Sequence, residues 1–127
     1  MNVATHKHLV QDYIEAYNRF DVDGMVRHLH EDVVFRNISG GEVNLTTTGK
    51  ESFRQQAEQA RQYFSQREQC ITDWQVTDNR VEVLIDYTGV AAIDFPNGLK
   101  AGDTLQLQGK SVFEFADGQI FSIDDIS

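Results

Sequence analysis

Cysteine is almost absent from this chain. The single one, Cys70, excludes an intrachain disulfide, and with no partner motif around it the thiol reads as an inert small hydrophobe. Basic residues are scarce: 11 Lys and Arg stand against 20 Asp and Glu, a formal charge of −9. Such a surface repels phosphate backbones and no basic stripe offsets it, so no nucleic acid and no membrane is expected as a partner. No apolar run approaches the roughly 20 residues of a membrane span. The first residues hold no basic segment followed by an apolar stretch, so no signal peptide is read and a cytoplasmic location is expected. There is no glycine-rich phosphate loop, nucleotide fingerprint or Ser-His-Asp elbow, each of which needs a fixed local spacing. His6 with His8, and His28 with His30, are spaced so that neither pair shares a helix face or matches a metal-ligand pattern. His28 and His30 read instead as residues suited to the C-terminus of a second helix. No metal and no cofactor are expected.

What is present is an ordinary globular mixture, 40% hydrophobic and 24% charged. Residues 1–127 read as one domain, large enough to bury roughly two thirds of its unfolded surface. Leu9, Tyr13, Ala16, Tyr17 and Phe20 recur at helical spacing behind Thr5, a plausible N-cap. Asp21 is placed to cap a short second helix bearing Val22, Met25, Val26 and Leu29. Val33 to Ile38 reads as a strand, with Val43 to Thr47 as its return. Thr48 and Glu51 have capping-box spacing and open a third helix with Phe53, Ala57, Ala60 and Phe64 on its apolar face. The remainder alternates as strands. Cys70, Thr72, Trp74 and Val76 share one face, followed by a long segment from Val81 to Ile93, a Pro96-Asn97-Gly98 turn, a strand from Leu105 to Phe115 and a last one from Ile120 to Ile126. Asp78-Asn79 and Asp117-Gly118 are two-residue turn signals. Segregated helices and strands predict an α+β fold with the helices on one face of an antiparallel sheet. Gly89 and Gly109, inside long strands, predict strong bending, and a bent sheet over helices leaves a cavity suited to a ligand.

Three blocks carry a family resemblance: Tyr13-Ile14-Glu15-Ala16-Tyr17-Asn18 with Phe20-Asp21-Val22-Asp23-Gly24-Met25, then Leu29-His30-Glu31-Asp32-Val33-Val34-Phe35, and at the end Val112-Phe113-Glu114-Phe115-Ala116-Asp117-Gly118-Gln119-Ile120. Over essentially its whole length the chain resembles the nuclear transport factor 2-like superfamily, in its SnoaL-like and ketosteroid isomerase-like branch. The resemblance implies a cone-shaped domain enclosing a pocket, and a homodimer formed through the sheet face away from the helices, where Leu84, Val90 and Val112 are expected. Members of the superfamily include enzymes, binding modules and assembly domains, so the resemblance carries fold further than function.

Carried over residue by residue, the ketosteroid isomerase pattern matches Tyr13 to its hydrogen-bonding tyrosine. Its base falls at Asn37, an amide without useful basicity, and its protonated acid falls near Ser111, a weaker donor. The SnoaL-like cyclase pattern puts an acid/base aspartate at Asp125, with Ile123 and Asp124 where histidine and tryptophan often stand. Asp125 and Tyr13 are therefore the catalytic candidates, and Asn37, Tyr17, Trp74, Tyr87, Ser111 and Phe113 the ligand-binding candidates. Each has a plainer reading: the aromatics and Ser111 as core, Asn37 as a strand-end cap, Asp125 and Asp86 as surface carboxylates. The ligand implied is an apolar or aromatic small molecule. Three roles stay open: a cofactor-independent isomerase, cyclase or hydratase; a non-catalytic binding domain; and an assembly domain.

Overall fold

The computed structural model describes residues 3–127. Two helices come first, α1 (Val3–Asn18) and α2 (Val22–Val26), then a hairpin of β1 (Leu29–Ser39) and β2 (Glu42–Thr48), then α3 (Lys50–Ala60). Four strands follow: β3 (Phe64–Thr77), β4 (Arg80–Ala91), β5 (Thr104–Ala116) and β6 (Gln119–Ile126). All six strands form one sheet in the order β2-β1-β6-β5-β4-β3. This is the expected α+β cone, with the three helices of the first half packed on one face of a sheet that does not close. One pair departs from the antiparallel expectation. β6 lies beside β1 and runs parallel to it, so the sheet is mixed. The core between helices and sheet includes Val10, Leu29, Val33, Val81, Val83, Phe113, Ile120 and Ile123, all 0% exposed. Burial of these apolar side chains is the main force holding the helices to the sheet.

Local chemistry explains most element ends. Asp21 caps α2 as its position predicts, its carboxylate accepting from the Gly24 N–H at 3.0 Å. Asp117-Gly118 turns β5 into β6 with both residues at positive φ, 54° and 76°. Other expectations fail for identifiable reasons. Thr5 lies inside α1, and Phe20 falls beyond that helix at φ 59°. The Thr48–Glu51 capping box does not form: Gly49 (φ 94°) is the N-cap and makes no side-chain cap, while Thr48 stays in β2 opposite Val34. Phe64 opens β3 instead of ending α3, so that strand begins well before Cys70. Since α2 is a single short turn and β1 begins at Leu29, His28 and His30 do not form a helix C-terminus. They pair with Asp12 at 2.9 Å and Asp117 at 3.2 Å.

Two irregularities decide which side chains face inward. β3 shifts register between Ile71 and Asp73. An extra residue in a strand flips every side chain beyond it. Trp74 and Val76 therefore face inward, while Cys70 and Thr72, expected on the same face, are exposed and Arg67 and Gln69 are buried. Cys70 is thus a surface thiol and no part of the core. A second shift, between Glu114 and Phe115 where β5 meets β6, keeps Ile120 and Ile123 inward and leaves Phe121 outside against His30, 5.1 Å between rings.

Gly89 and Gly109 do not sit at these bulges; both are in regular register. What they provide is room. A Cβ at position 89 would meet the Phe64 ring at 2.9 Å, and one at 109 would meet the Ile126 carbonyl oxygen at 2.6 Å. Gly109 thereby lets the end of β6 lie close against β5.

On the outer face Leu84 is 45% exposed, but Val112 is only 5% exposed. In register Val112 lies between Glu82 and Asp124. Those carboxylates are held by Lys110, at 3.5 Å, and by Arg36 in a two-pronged contact of 2.9 and 2.6 Å. Among the described residues, no helix is long and apolar enough to cross a membrane.

Candidate functional site

The strand registers set candidate residues side by side. Asn37 on β1 is opposite Asp125 on β6, and Asp125 is opposite Ser111 on β5. Asn37, Asp125 and Ser111 thus form one row across three adjacent strands. The row continues through Val83 on β4 to Trp74 on β3. The neighbouring row, Phe35, Ile123, Phe113 and Val81, is the apolar floor beneath it.

Helix α1 presents Tyr13 and Tyr17, one turn apart, to this part of the sheet. Tyr13 is 4% exposed and wedged between Phe113 and Phe53, at ring distances of 5.7 and 6.3 Å. The Tyr17 hydroxyl donates to the Tyr87 hydroxyl at 3.3 Å. Between α1, α3 and the sheet lies a cavity of about 190 Å³, whose wall includes Tyr13, Tyr17, Asn37, Phe53, Arg67 and Asp125. Beside it is a more open cleft of about 370 Å³ that shares Tyr17, Asn37, Phe64 and Asp125 and adds Tyr87 and Ser111.

Asp125 is the group with the most unusual chemistry. Ser111, 4% exposed, donates its hydroxyl to the Asp125 carboxylate at 2.7 Å. Loss of hydration nevertheless pushes the Asp125 carboxyl up to about 6; the Ser111 hydrogen bond pulls it back, and the neighbouring Asp124 charge adds to the rise. Burial also raises Tyr13, Tyr17 and Tyr87 above the ordinary phenol range, so all three stay neutral hydroxyls. The result is a carboxyl able to take or give a proton near neutral pH, amid hydroxyls that donate hydrogen bonds without ionising. Among the described residues, no group of three or more His, Cys, Asp or Glu is placed to hold a metal ion.

Not every expected ligand contact lies here. Asn37 forms part of both cavity walls, but its amide N–H already donates to the side-chain oxygen (Oδ1) of Asn44 at 2.8 Å. Trp74 and Phe113 line neither cavity. Trp74 stands three strands from Asp125, roughly 14 Å at the usual strand spacing, under the Lys7 ammonium at 4.8 Å. Phe113 is fully buried behind Tyr13. Asp86 is exposed on the outer face. One residue absent from the sequence expectation is central. Arg67 is 7% exposed and lines the smaller cavity. β3 begins at Phe64, well before Cys70, and its bulge beyond Ile71 reverses the alternation that Trp74 implies for Arg67. The one available signal is Gln69, which, like Arg67, falls on the face of Ile71.

The chain matches no curated protein sequence. Among solved structures it is similar to a candidate polyketide cyclase from Xanthomonas campestris pv. campestris, with 26% identity and a TM-score of 0.83 over 100% of this chain and 93% of that one. It also resembles AclR, a candidate hydroxylase from Streptomyces galilaeus, with 19% identity and a TM-score of 0.77 over 98% and 89% of the two chains. A third similar structure is a nuclear transport factor 2-like protein of unknown function from Burkholderia pseudomallei, with 19% identity and a TM-score of 0.78 over 98% and 90%. The family model for the SnoaL-like domain matches residues 10–123, so the chain belongs to the SnoaL-like family of the nuclear transport factor 2-like superfamily.

Proposed function

We propose that this protein is a cofactor-independent enzyme of the cyclase or isomerase type, acting on a largely apolar carbonyl compound of polyketide character. The observation that carries this reading is Asp125: a carboxyl raised to about 6, hydrogen-bonded by Ser111 and bordering the same cavity as Tyr13 and Tyr17. The similarity to a candidate polyketide cyclase points to the same substrate class. As carboxylate, Asp125 removes a proton from the carbon next to a carbonyl: the C–H bond breaks and an O–H bond forms on Asp125. The negative charge moves to the carbonyl oxygen, where the Tyr13 hydroxyl donates a hydrogen bond. In isomerisation the proton returns to a different carbon. In cyclisation the enolate carbon attacks a second carbonyl of the same molecule, and the new alkoxide takes the proton back.

The reading is tested by exchange of α-protons for deuterium in a panel of aryl ketones, followed by proton NMR. Enzyme-dependent exchange should rise with pH through about 6 and then level off, because the carboxylate is the active form. Exchange with no limb near that pH, or none above the buffer rate, would sink it. A non-catalytic binding role is the reading favoured by Asn37, an amide committed to Asn44 where the isomerase pattern requires a base. It predicts ligand binding without exchange.

The reading includes a homodimer through the outer sheet face, where Leu84 is the large exposed apolar side chain of β4. Sedimentation should then show a dimer that Leu84→Glu converts to monomer; a monomeric wild type would refute the pairing.

A further inference from the structure

Arg67 is a buried cation with no acidic partner. Its Nε donates to the Tyr17 carbonyl oxygen at 2.9 Å, and the guanidinium lies over the Tyr17 ring at 3.7 Å and the Phe20 ring at 4.4 Å. Those contacts fix its position and use its flat face. They do not neutralise it. Nη2 is buried and has no hydrogen-bond partner, and none of the ion pairs among the described residues includes Arg67. A guanidinium does not lose its proton in a protein, so the charge persists. A buried charge left without a counter-charge is costly, and an N–H left without an acceptor adds to that cost. Arg67 also forms part of the cavity wall that carries Asp125, and Tyr17 lies in the electrostatic reach of both.

We propose that Arg67 is the anion-recognition residue of this cavity, and that the ligand is an apolar, ring-sized molecule carrying an acidic oxygen group, a carboxylate or an acidic enol. The acidic oxygens supply the missing acceptor and counter-charge, while the apolar body lies against Tyr13, Tyr17 and Phe53. This deepens the function proposed above by naming a charge on its substrate, and it also holds for a protein that binds without turnover.

The test compares acids with their neutral isosteres. Affinities of benzoate, 2-naphthoate and 1-hydroxy-2-naphthoate are measured calorimetrically against the matching primary amides at pH 7.5. For at least one pair, wild type should bind the acid tenfold or more tightly than the amide. Arg67→Met should bring that ratio to near one, and Arg67→Lys should retain part of it. Because Arg67→Met also removes the tie to Tyr17, its fold is checked by circular dichroism, and the wild-type ratio stands as a test independent of any variant. Equal affinity for acid and amide in wild type, binding of no acid in the panel, or an unchanged ratio in folded Arg67→Met would overturn the proposal. An acidic enol as the preferred group appears as stronger binding of 2-hydroxy-1,4-naphthoquinone than of 2-naphthoate, with the same dependence on Arg67. Asp125→Asn separates the two proposals: it should keep the acid preference even if it abolishes exchange.

Discussion

Asp125→Asn should be more stable than wild type at pH 7.5 and lose nearly all exchange activity. The folded-state carboxyl sits at about 6, above its ordinary value of 3.8. Below about pH 4 it is protonated in folded and unfolded chains alike, and burial carries no ionisation penalty. Between pH 4 and 6 the unfolded chain ionises first, so the folded state loses stability as pH rises. Above 6 the penalty is constant. Two pH units correspond to about 3 kcal/mol at most, and residual exposure of Asp125 brings the expected gain to about 1–2 kcal/mol. The amide oxygen can still accept from Ser111, so the substitution should not leave that hydroxyl unpartnered. For a chain of this length the gain is a rise of about 3–8 °C in melting temperature. The rise should shrink towards zero at pH 4, which thermal denaturation at the two pH values checks. The loss of a general base should lower exchange about 10²- to 10⁴-fold. A residue whose replacement stabilises the fold while removing activity is one that the fold alone does not explain. An Asn variant no more stable at pH 7.5 than wild type would mean that the Asp125 carboxyl is not desolvated.

Phe113→Ala should have the opposite character, with a large loss of stability and only an indirect effect on binding. Phe113 is 0% exposed, in register with Val81 and Ile123 on the apolar floor, and its ring supports Tyr13 edge-on at 5.7 Å. Emptying such a site loses both transfer free energy and packing, about 3–5 kcal/mol for Phe→Ala. That is a large fraction of the roughly 5–15 kcal/mol by which a domain is stable. Urea unfolding measures it directly. A cost below about 1 kcal/mol with a large loss of ligand affinity would show instead that Phe113 touches the ligand.

Local rules read along the chain located much of this molecule. Period-two alternation placed Val81, Val83 and Ile85 inward, the Asp78-Asn79 and Asp117-Gly118 turns joined the right strands, and Asp21 capped α2. These succeed because each depends on residues within a turn or two of one another. Local rules fail where a longer-range interaction wins. Thr48 lies opposite Val34, so β-pairing takes it from the capping box that its spacing allows. Phe64 continues the helical apolar period, yet it opens β3 and packs against Gly89 and the Tyr87 ring, 6.1 Å away. A single bulge beyond Ile71 reversed the expected faces of Cys70 and Thr72 and kept Arg67 out of view.

The fold class, the element order and the apolar and acidic character of the chain are legible along the chain, because hydrophobic period, turn chemistry and charge are local properties. Asp125, Tyr13 and Ser111 stand out through the family resemblance, which implies an acid/base group and two hydrogen-bond donors. Long-range packing is what runs β6 parallel to β1, which sets Asp125 between Asn37 and Ser111, and what keeps Trp74 and Phe113 away from the cavity. It alone raised the Asp125 carboxyl and left Arg67 without a counter-charge, because desolvation and ion pairing depend on what the folded chain brings together around a group.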